Sequence, residues 1–295
     1  MSNSSAGSST KTSSAISQPL VELSSAIYND LNALAIARHA RWDPLGLMTV
    51  RSYVLEALAA CGEVEQHRFQ QGQEEGVNFI LKLPGREPAL TPMLIGAHYD
   101  GPLHSIGADD NASGVAALLE LARRWSQKPP RRPIWLVAFD QEEWGMYGSA
   151  ALAEQLKKQR QKLKLMVSLE MLAYTSDSQD YPLPAMEAVY GNRGDFIALV
   201  ANTGAALMLT QLTHAMGQHV TTKALPVPNA GRDVPDVRLS DHSPFWDQGY
   251  DALMVTDTSF MRNPNYHQMS DTVETLDLPF FASVVEGLDG SFSRF

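Results

Sequence analysis

The stretch IWLVAFDQEEWGMYGSAALAEQLKKQRQKLKLMVSLEM, residues 134–171, decides the fold class. It begins with a short apolar run (134–140), continues through an amphipathic segment (149–163) and ends in a second apolar run (165–171). Short continuous apolar runs are typical of strands that are buried on both faces, and a helix between two of them is the usual crossover of a parallel pair. The stretch therefore predicts a strand–helix–strand unit in an α/β fold.

The same pattern extends in both directions from this unit. MLIGAH (93–98) and ALMVTDT (252–258) are further apolar runs, and 113–125 is a further amphipathic segment. VNFILKL (77–83) and EVEQHRF (63–69) alternate with period two, which is typical of antiparallel strands at a sheet edge. We expect an α/β domain: a mixed, centrally parallel, twisted β-sheet flanked by helices on both faces.

The remaining segments complete this expectation. Apolar residues recur at helical spacing over 20–34, and a second helix is predicted over 48–60, before Gly62. The stretch 221–240 is polar and holds three prolines, so it is expected to be a long surface loop.

Composition excludes several classes of protein. The 295 residues carry a formal net charge of −10, which argues against nucleic acid as a partner. The single cysteine, Cys61, excludes an internal disulfide and a cysteine-based zinc site. No apolar run approaches the length that a bilayer requires, so no membrane partner is expected.

The amino-terminal end differs from the rest of the chain. Residues 1–19 are rich in Ser and Thr and are expected to be a disordered tail, followed by a single domain over 20–295. The tail lacks the apolar core of a signal peptide, which leads us to expect a cytoplasmic protein. The sequence does not determine the oligomeric state.

Ionisable residues follow three of the predicted strands. His98 and Asp100 end the first, Glu142 and Glu143 follow the second, and Glu170 ends the third. Because the carboxyl ends of parallel strands meet at one edge of a sheet, these side chains are expected to form a site there.

Each motif also has a plainer interpretation. In GAHYDG (96–101), Asp100 is placed to orient His98 as a metal ligand, or simply to satisfy a buried histidine. In GADDNASG (107–114), Asp109 and the acid beside it suit a metal or a helix N-cap. The pair Glu142–Glu143 suits metal-assisted hydrolysis or a solvated acidic turn.

A fourth motif, RNPNYHQMSDT (262–272), contributes another histidine. His267 precedes a predicted helix start, with Asp271 at its N-cap and Glu274 three residues later. A lone loop histidine carries little weight, so His267 gains importance only from the other three clusters.

Taken in order, HYD, GADDNASG, QEEWGMYGS, LEM, SDHSPF and YHQMSDT resemble the motifs of zinc exopeptidases of the aminopeptidase–glutaminyl cyclase family. The resemblance covers about 57–290.

The resemblance implies two Zn²⁺ ions per chain. One would be held by His98 and Glu170, the other by Glu143 and His267, with Asp109 bridging both. It also implies that Asp100 orients His98, that Glu142 is the general base, and that the two adjacent acids, Asp109 and Asp110, are joined by a cis peptide bond.

The activity that the resemblance implies is zinc-dependent hydrolysis of peptide substrates. An aminopeptidase would release N-terminal residues through a metal-bridging water and Glu142. The same family contains carboxypeptidases and single-zinc glutaminyl-peptide cyclases, and a non-catalytic binding module on the same fold is a further alternative. Metal-assisted phosphoester hydrolysis uses similar ligands.

The chain departs from the family pattern at two positions. Many aminopeptidases of the family have aspartate where this chain has Glu170, and some have a tyrosine that stabilises the oxyanion where this chain has Val237. Tyr266 and His242 are the candidates to replace that tyrosine. Asp241 and His242 are expected to support the site, to contact substrate, or to cap a helix.

Overall fold

The computed structural model describes residues 24–295, so the predicted tail at 1–19 lies outside the described residues. The described chain contains one eight-stranded sheet in the order β1–β2–β4–β3–β5–β8–β6–β7. The strands are β1 (Val64–Gln71), β2 (Glu74–Leu83), β3 (Met93–His98), β4 (Ile134–Phe139), β5 (Leu165–Glu170), β6 (Ile197–Asn202), β7 (Thr222–Val227) and β8 (Ala252–Thr256). The helices are α1 (Ser25–Leu34), α2 (Pro44–Ala59), α3 (Gly114–Gln127), α4 (Tyr147–Lys158), α5 (Ala185–Tyr190), α6 (Ala206–Met216), α7 (His242–Asp247) and α8 (Leu278–Phe292).

The centre of the sheet is parallel and its margins are mixed. Strands β4, β3, β5 and β8 run parallel side by side, while β1, β2 and β4 pair antiparallel at one margin. At the other margin β6 pairs antiparallel with β8 and parallel with β7. The predicted fold class, including the antiparallel edge, is confirmed.

The prediction of a long surface loop over 221–240 was wrong in its first part. Residues 222–227 form β7, the edge strand that pairs with β6. Pro226 misled the prediction because proline interrupts a central strand, but an edge strand tolerates it where its missing N–H would face away from the neighbour.

Helices cover both faces of the sheet. One hydrophobic cluster joins the sheet to α1, α2, α3, α6 and α8, and a smaller one joins the opposite face to α4 and α7. The second helix begins at Pro44 rather than residue 48, since proline is well suited to the first turn. Within residues 24–295, no helix is both long and apolar enough to cross a bilayer.

Candidate metal centre

The carboxyl ends of three neighbouring central strands meet at one edge of the sheet. His98 is the last residue of β3 and Glu170 the last of β5, while Glu142 and Glu143 lie in the turn after β4. Parallel pairing brings these ends level, so the predicted residues do lie together. The loop before α3 brings Asp110 to the same place, and the loop after β8 brings His267.

Asp110 lies between the two histidines. One carboxylate oxygen is 3.4 Å from His98 Nε2 and the other is 3.2 Å from His267 Nε2. Glu170 is 3.6 Å from His98 Nε2 on one side, and Glu143 is 3.3 Å from His267 Nε2 on the other. Two groups of possible metal ligands therefore share one carboxylate.

The position expected for Asp109 was wrong, because Asp110 takes it. The Asp109 carboxylate points away and accepts hydrogen bonds from the Ala173 amide at 3.0 Å and from Asn263 Nδ2 at 2.9 Å. The cis peptide bond also lies one residue later than expected, between Asp110 and Asn111. Adjacent acids point in different directions along the chain, and the sequence alone did not show which one faces the histidines.

Asp100 and Ser240 contact the candidate ligands and the expected general base without being ligands themselves. One Asp100 oxygen lies 3.4 Å from His98 Nδ1, as predicted. Its two oxygens also accept hydrogen bonds from the backbone amides of Glu142 and Glu143, at 3.1 and 3.2 Å. The Ser240 hydroxyl donates to Glu170 at 2.7 Å. Such contacts fix the orientation of the ligands and raise their affinity for metal.

Asp271 does not cap a helix, contrary to the prediction. Its two oxygens accept hydrogen bonds from the amides of Asp109 and Asp110 at 2.9 and 3.1 Å, and the short turn that follows begins after Thr272. The carboxylate therefore ties the His267 loop to the Asp110 loop. The spacing of acids in SDTVE (270–274) matched a capping box by coincidence.

The histidines and carboxylates perturb one another strongly. Burial alone would lower the pKa of His267, but hydrogen bonds to Asp110 and Glu143 raise it to about 10. Burial raises the pKa of Glu143 to about 8, and the charge of Asp110 adds to this. Burial alone would lower the pKa of His98, which the carboxylates of Glu170 and Glu142 raise well above its usual value. Closely packed acids and histidines of this kind are common at functional sites.

Glu142 differs from the other acids in its position. Its carboxylate is 4.0 Å from His98 Nε2, keeps some exposure, and lines the cavity beside the ligand groups. Burial raises its pKa well above the usual value, and the nearby carboxylates Glu170 and Glu143 raise it further. A carboxylate that faces a cavity beside the ligand groups is placed to accept and release a proton there.

The donor atoms fit zinc. Asp110 with His98 and Glu170, and Asp110 with Glu143 and His267, each place three ligand atoms within 4.8 Å of one another. Glu143 Oε1 is buried without a hydrogen-bond partner within the described residues, as expected of an atom whose partner is a cation. Imidazole and carboxylate donors without thiolate suit Zn²⁺, and also Co²⁺ or Mn²⁺.

A cavity of about 290 Å³ extends from these acids across the sheet margin. Apart from the acids and His267, its walls are largely apolar and come from β6, β7, β8 and the loops around them. Its apolar lining includes Tyr190, Phe196, Ala198, Val200, Leu225, Val237, Met254 and Phe260.

The two candidates for an oxyanion stabiliser differ in position. Tyr266 lines the cavity and its ring stacks on that of His267 at 3.8 Å. His242 is fully buried, with Nε2 2.8 Å from the Val237 carbonyl, and burial lowers its pKa to about 3. Asp241 is buried too, and this burial raises its pKa to about 7. Of the two candidates, Tyr266 is the one whose side chain faces the cavity.

Sequence reasoning missed several supporting residues. Asp271 was assigned to a helix cap, while Ser240 and Asn263 were not assigned a role of their own. Arg38, which is fully buried behind the Asp110 loop, received no role from the sequence. Its only sequence signal is an arginine, followed by His39, in the mainly apolar run ALAIARHA (33–40).

Comparison with known proteins shows that most of the chain matches one protein family. Residues 78–288 match the sequence profile of peptidase family M28. The uncharacterized protein YfbL of Escherichia coli is 39% identical over 220 residues, which cover 68% of this chain and 66% of YfbL. The chain spans about half of the length of the other curated relatives it matches, or much less. Several of these relatives are named probable zinc metalloproteases.

Solved structures share the fold at low sequence identity. The LapA aminopeptidase of Legionella pneumophila has a TM-score of 0.65 at 19% identity, covering 92% of this chain and 72% of LapA. A glutaminyl cyclase of Tannerella forsythia has a TM-score of 0.66 at 17% identity, covering 92% of this chain and 98% of the cyclase. At these identities the likeness supports the fold alone.

Proposed function

This chain belongs to peptidase family M28, a family of zinc peptidases, and we propose that it is a two-zinc aminopeptidase that releases N-terminal residues from peptides. The observation that carries the proposal is the position of Asp110, whose two carboxylate oxygens face His98 and His267 separately. A single-zinc cyclase needs only one of these ligand groups.

Each ligand group would hold one zinc ion. His98 and Glu170 would bind one, Glu143 and His267 would bind the other, and Asp110 would bind both. When bound, the two ions would supply Lewis-acid chemistry, lowering the pKa of a water molecule and polarising the scissile carbonyl.

The protein's own residues supply the remaining chemistry. Glu142 is placed to take the proton of the attacking water on a carboxylate oxygen and to deliver it to the nitrogen of the leaving amine. Asp100 holds the amides of Glu142 and Glu143, which keeps the base in place beside the ligand that follows it. The Tyr266 phenol borders the same space and is our candidate to donate a hydrogen bond to the oxyanion.

The cavity accommodates the side chain of the N-terminal residue. Its walls are mainly apolar, with Phe196, Val200 and Met254 among them, so large apolar side chains are the expected substrates. Burial of such a side chain is favourable by roughly 1.5–3 kcal/mol, and so contributes directly to selectivity.

The test combines metal content with activity. Purified protein should contain about two zinc ions per chain and should hydrolyse aminoacyl-anilides, with activity lost on chelation. Glu142→Gln should retain both ions and lose at least about 100-fold in kcat, as expected for loss of a general base. Exposed Glu154→Gln is the matched control and should behave like the wild type.

The alternatives give different results in the same assays. One zinc per chain with cyclisation of glutaminyl peptides would replace the aminopeptidase proposal with the cyclase. Hydrolysis of phosphoesters but not anilides would point to phosphoester chemistry. Failure to bind metal after reconstitution would contradict all of these enzymes and favour a binding module.

A further inference from the structure

Arg38 lies behind the loop that carries Asp110, in the segment between α1 and α2. Its side chain is fully buried, at 1% exposure, and within the described residues it forms no ion pair with a carboxylate. It lies forty residues before the part of the chain that matches the family. A buried guanidinium without a paired acid requires another way to satisfy its five N–H donors.

Backbone carbonyls satisfy all of them. Nε donates to the Tyr99 carbonyl at 3.1 Å, and Nη1 donates to the carbonyls of Ile36 and Ile106 at 3.1 and 2.6 Å. Nη2 donates to those of Gly107 and Asp110 at 2.9 and 3.2 Å. One side chain therefore joins the turn after β3, which carries Asp100 and directly follows His98, to the loop that carries Asp110.

Two glycines make room for this side chain. A Cβ atom at Gly101 would lie 2.9 Å from Arg38 Cγ, and one at Gly107 would lie 3.0 Å from Arg38 Nη2. The distance at Gly101 is shorter than real Cβ contacts, so the backbone there approaches the arginine more closely than a larger residue would allow. At Gly107 the contact with Arg38 would be tight, and the Asp110 carbonyl oxygen, 2.0 Å from the Cβ position, is the larger obstacle. The arginine thus explains the glycine at 101 and contributes to the need for glycine at 107.

We propose that Arg38 is a positioning residue for the metal centre, which sets the distance between Asp110 and His98 by holding the Asp110 loop and the turn after His98 through carbonyl groups. Asp110 is the carboxylate that both ligand groups share, so a shift of its backbone would alter both metal sites together. The proposal rests on the proposed function in that it takes these groups as the zinc ligands. This positioning role requires the planar guanidinium group with its five N–H donors, and a positive charge alone is not sufficient.

The first experiment compares Arg38→Met and Arg38→Lys with the wild type by zinc competition against a chelating dye. Both variants should bind zinc about 10- to 100-fold more weakly, the range typical of lost outer contacts to metal ligands. Lysine keeps the charge but has three donors on a single nitrogen, so it should restore thermal stability more than zinc affinity. The visible spectrum of the Co²⁺-loaded variants should also change, because it reports ligand geometry.

Arg124→Met is the matched control. Arg124 makes three side-chain hydrogen bonds, to Glu120, Glu286 and Asp289, where α3 meets α8. Its loss should lower Tm with unchanged zinc affinity and Co²⁺ spectrum. Equal zinc affinity in the Arg38 variants and the control would overturn the proposal.

A double-mutant cycle tests the contact itself. Gly101→Ala should weaken zinc binding in the wild type, because its Cβ displaces Arg38. In the Arg38→Met background it should have a much smaller effect, since methionine can move aside. Additive effects of the two substitutions would contradict the proposed coupling.

Hydrogen exchange in the metal-free protein separates this proposal from the proposed function. Amides of residues 99–111 should exchange faster in Arg38→Met than in the wild type and in Arg124→Met. If the wild type bound no zinc, the proposed function would fail, and unchanged exchange in 99–111 would overturn the role of Arg38 independently.

Discussion

The carboxylate of Asp271 accepts a hydrogen bond from the backbone amide of Asp110 at 3.1 Å, and its other oxygen accepts one from the amide of Asp109 at 2.9 Å. Asp271 lies four residues after His267, so the two loops that flank the second ligand group are joined directly. Asp100 makes the same type of contact with the amides of Glu142 and Glu143. In both cases a buried carboxylate holds the backbone of a loop that supplies ligands.

Replacing Asp271 with asparagine should therefore weaken metal binding without removing a ligand. The amide has one acceptor oxygen, and its NH₂ group would face a backbone N–H that also needs an acceptor. We expect zinc affinity to fall about 10- to 100-fold, as measured by chelator competition. Asp277→Asn, at the N-cap of α8, is a control that keeps a capping side chain and should leave zinc affinity unchanged.

Asp109 and Asp110 should respond very differently to the same isosteric change. Asp110→Asn removes the carboxylate that faces both histidines, so zinc content should fall well below two per chain. Asp109→Asn would place its NH₂ group against the NH₂ of Asn263, a conflict expected to cost about 1–3 kcal/mol of stability. Metal analysis and thermal unfolding of the two variants check this, and the reverse pattern would restore Asp109 as the shared ligand.

The contrast between these two acids shows where sequence reasoning reached its limit. The pattern of continuous apolar runs predicted the central strands, since burial on both faces leaves a strong signal in MLIGAH and LMVSLEM. It missed β7, whose Pro226 is tolerated only because the strand lies at an edge. The clusters of acids and histidines predicted the location of the site.

The sequence does not show in which direction a side chain points within an irregular loop. Asp109 and Asp110 have the same chemistry, and the backbone of a loop decides which of them faces His98. Arg38 was missed for a related reason, because its partners are carbonyls, which every residue has. Only the folded structure brings those carbonyls to one guanidinium.

The apolar cavity should govern the choice of N-terminal residue. Ala198 lies on β6 and lines the cavity, so Ala198→Phe would fill part of it. We expect kcat/KM for leucyl and phenylalanyl anilides to fall at least about 10-fold, and that for alanyl anilide to change much less. Ala206→Phe, an exposed position at the start of α6, should leave this ratio unchanged. A uniform loss for all substrates would place the N-terminal side chain elsewhere.

Metal-free protein should lose stability as pH rises from 7 to 9. Glu143, with a folded pKa of about 8, and His267, with one of about 10, both retain protons that the unfolded chain releases at its ordinary pKa values of 4.5 and 6.5. The folded state binds more protons in this window, so its stability falls as pH increases. We expect Tm to fall over these two pH units. Glu143→Gln should reduce the dependence of Tm on pH, because it removes one titrating group and a hydrogen-bonded partner of the other.

Saturating zinc should oppose the loss of stability at high pH by binding deprotonated ligands. A Tm that rises with pH between 7 and 9 in the metal-free wild type would contradict the proton-sharing arrangement of Glu143 and His267.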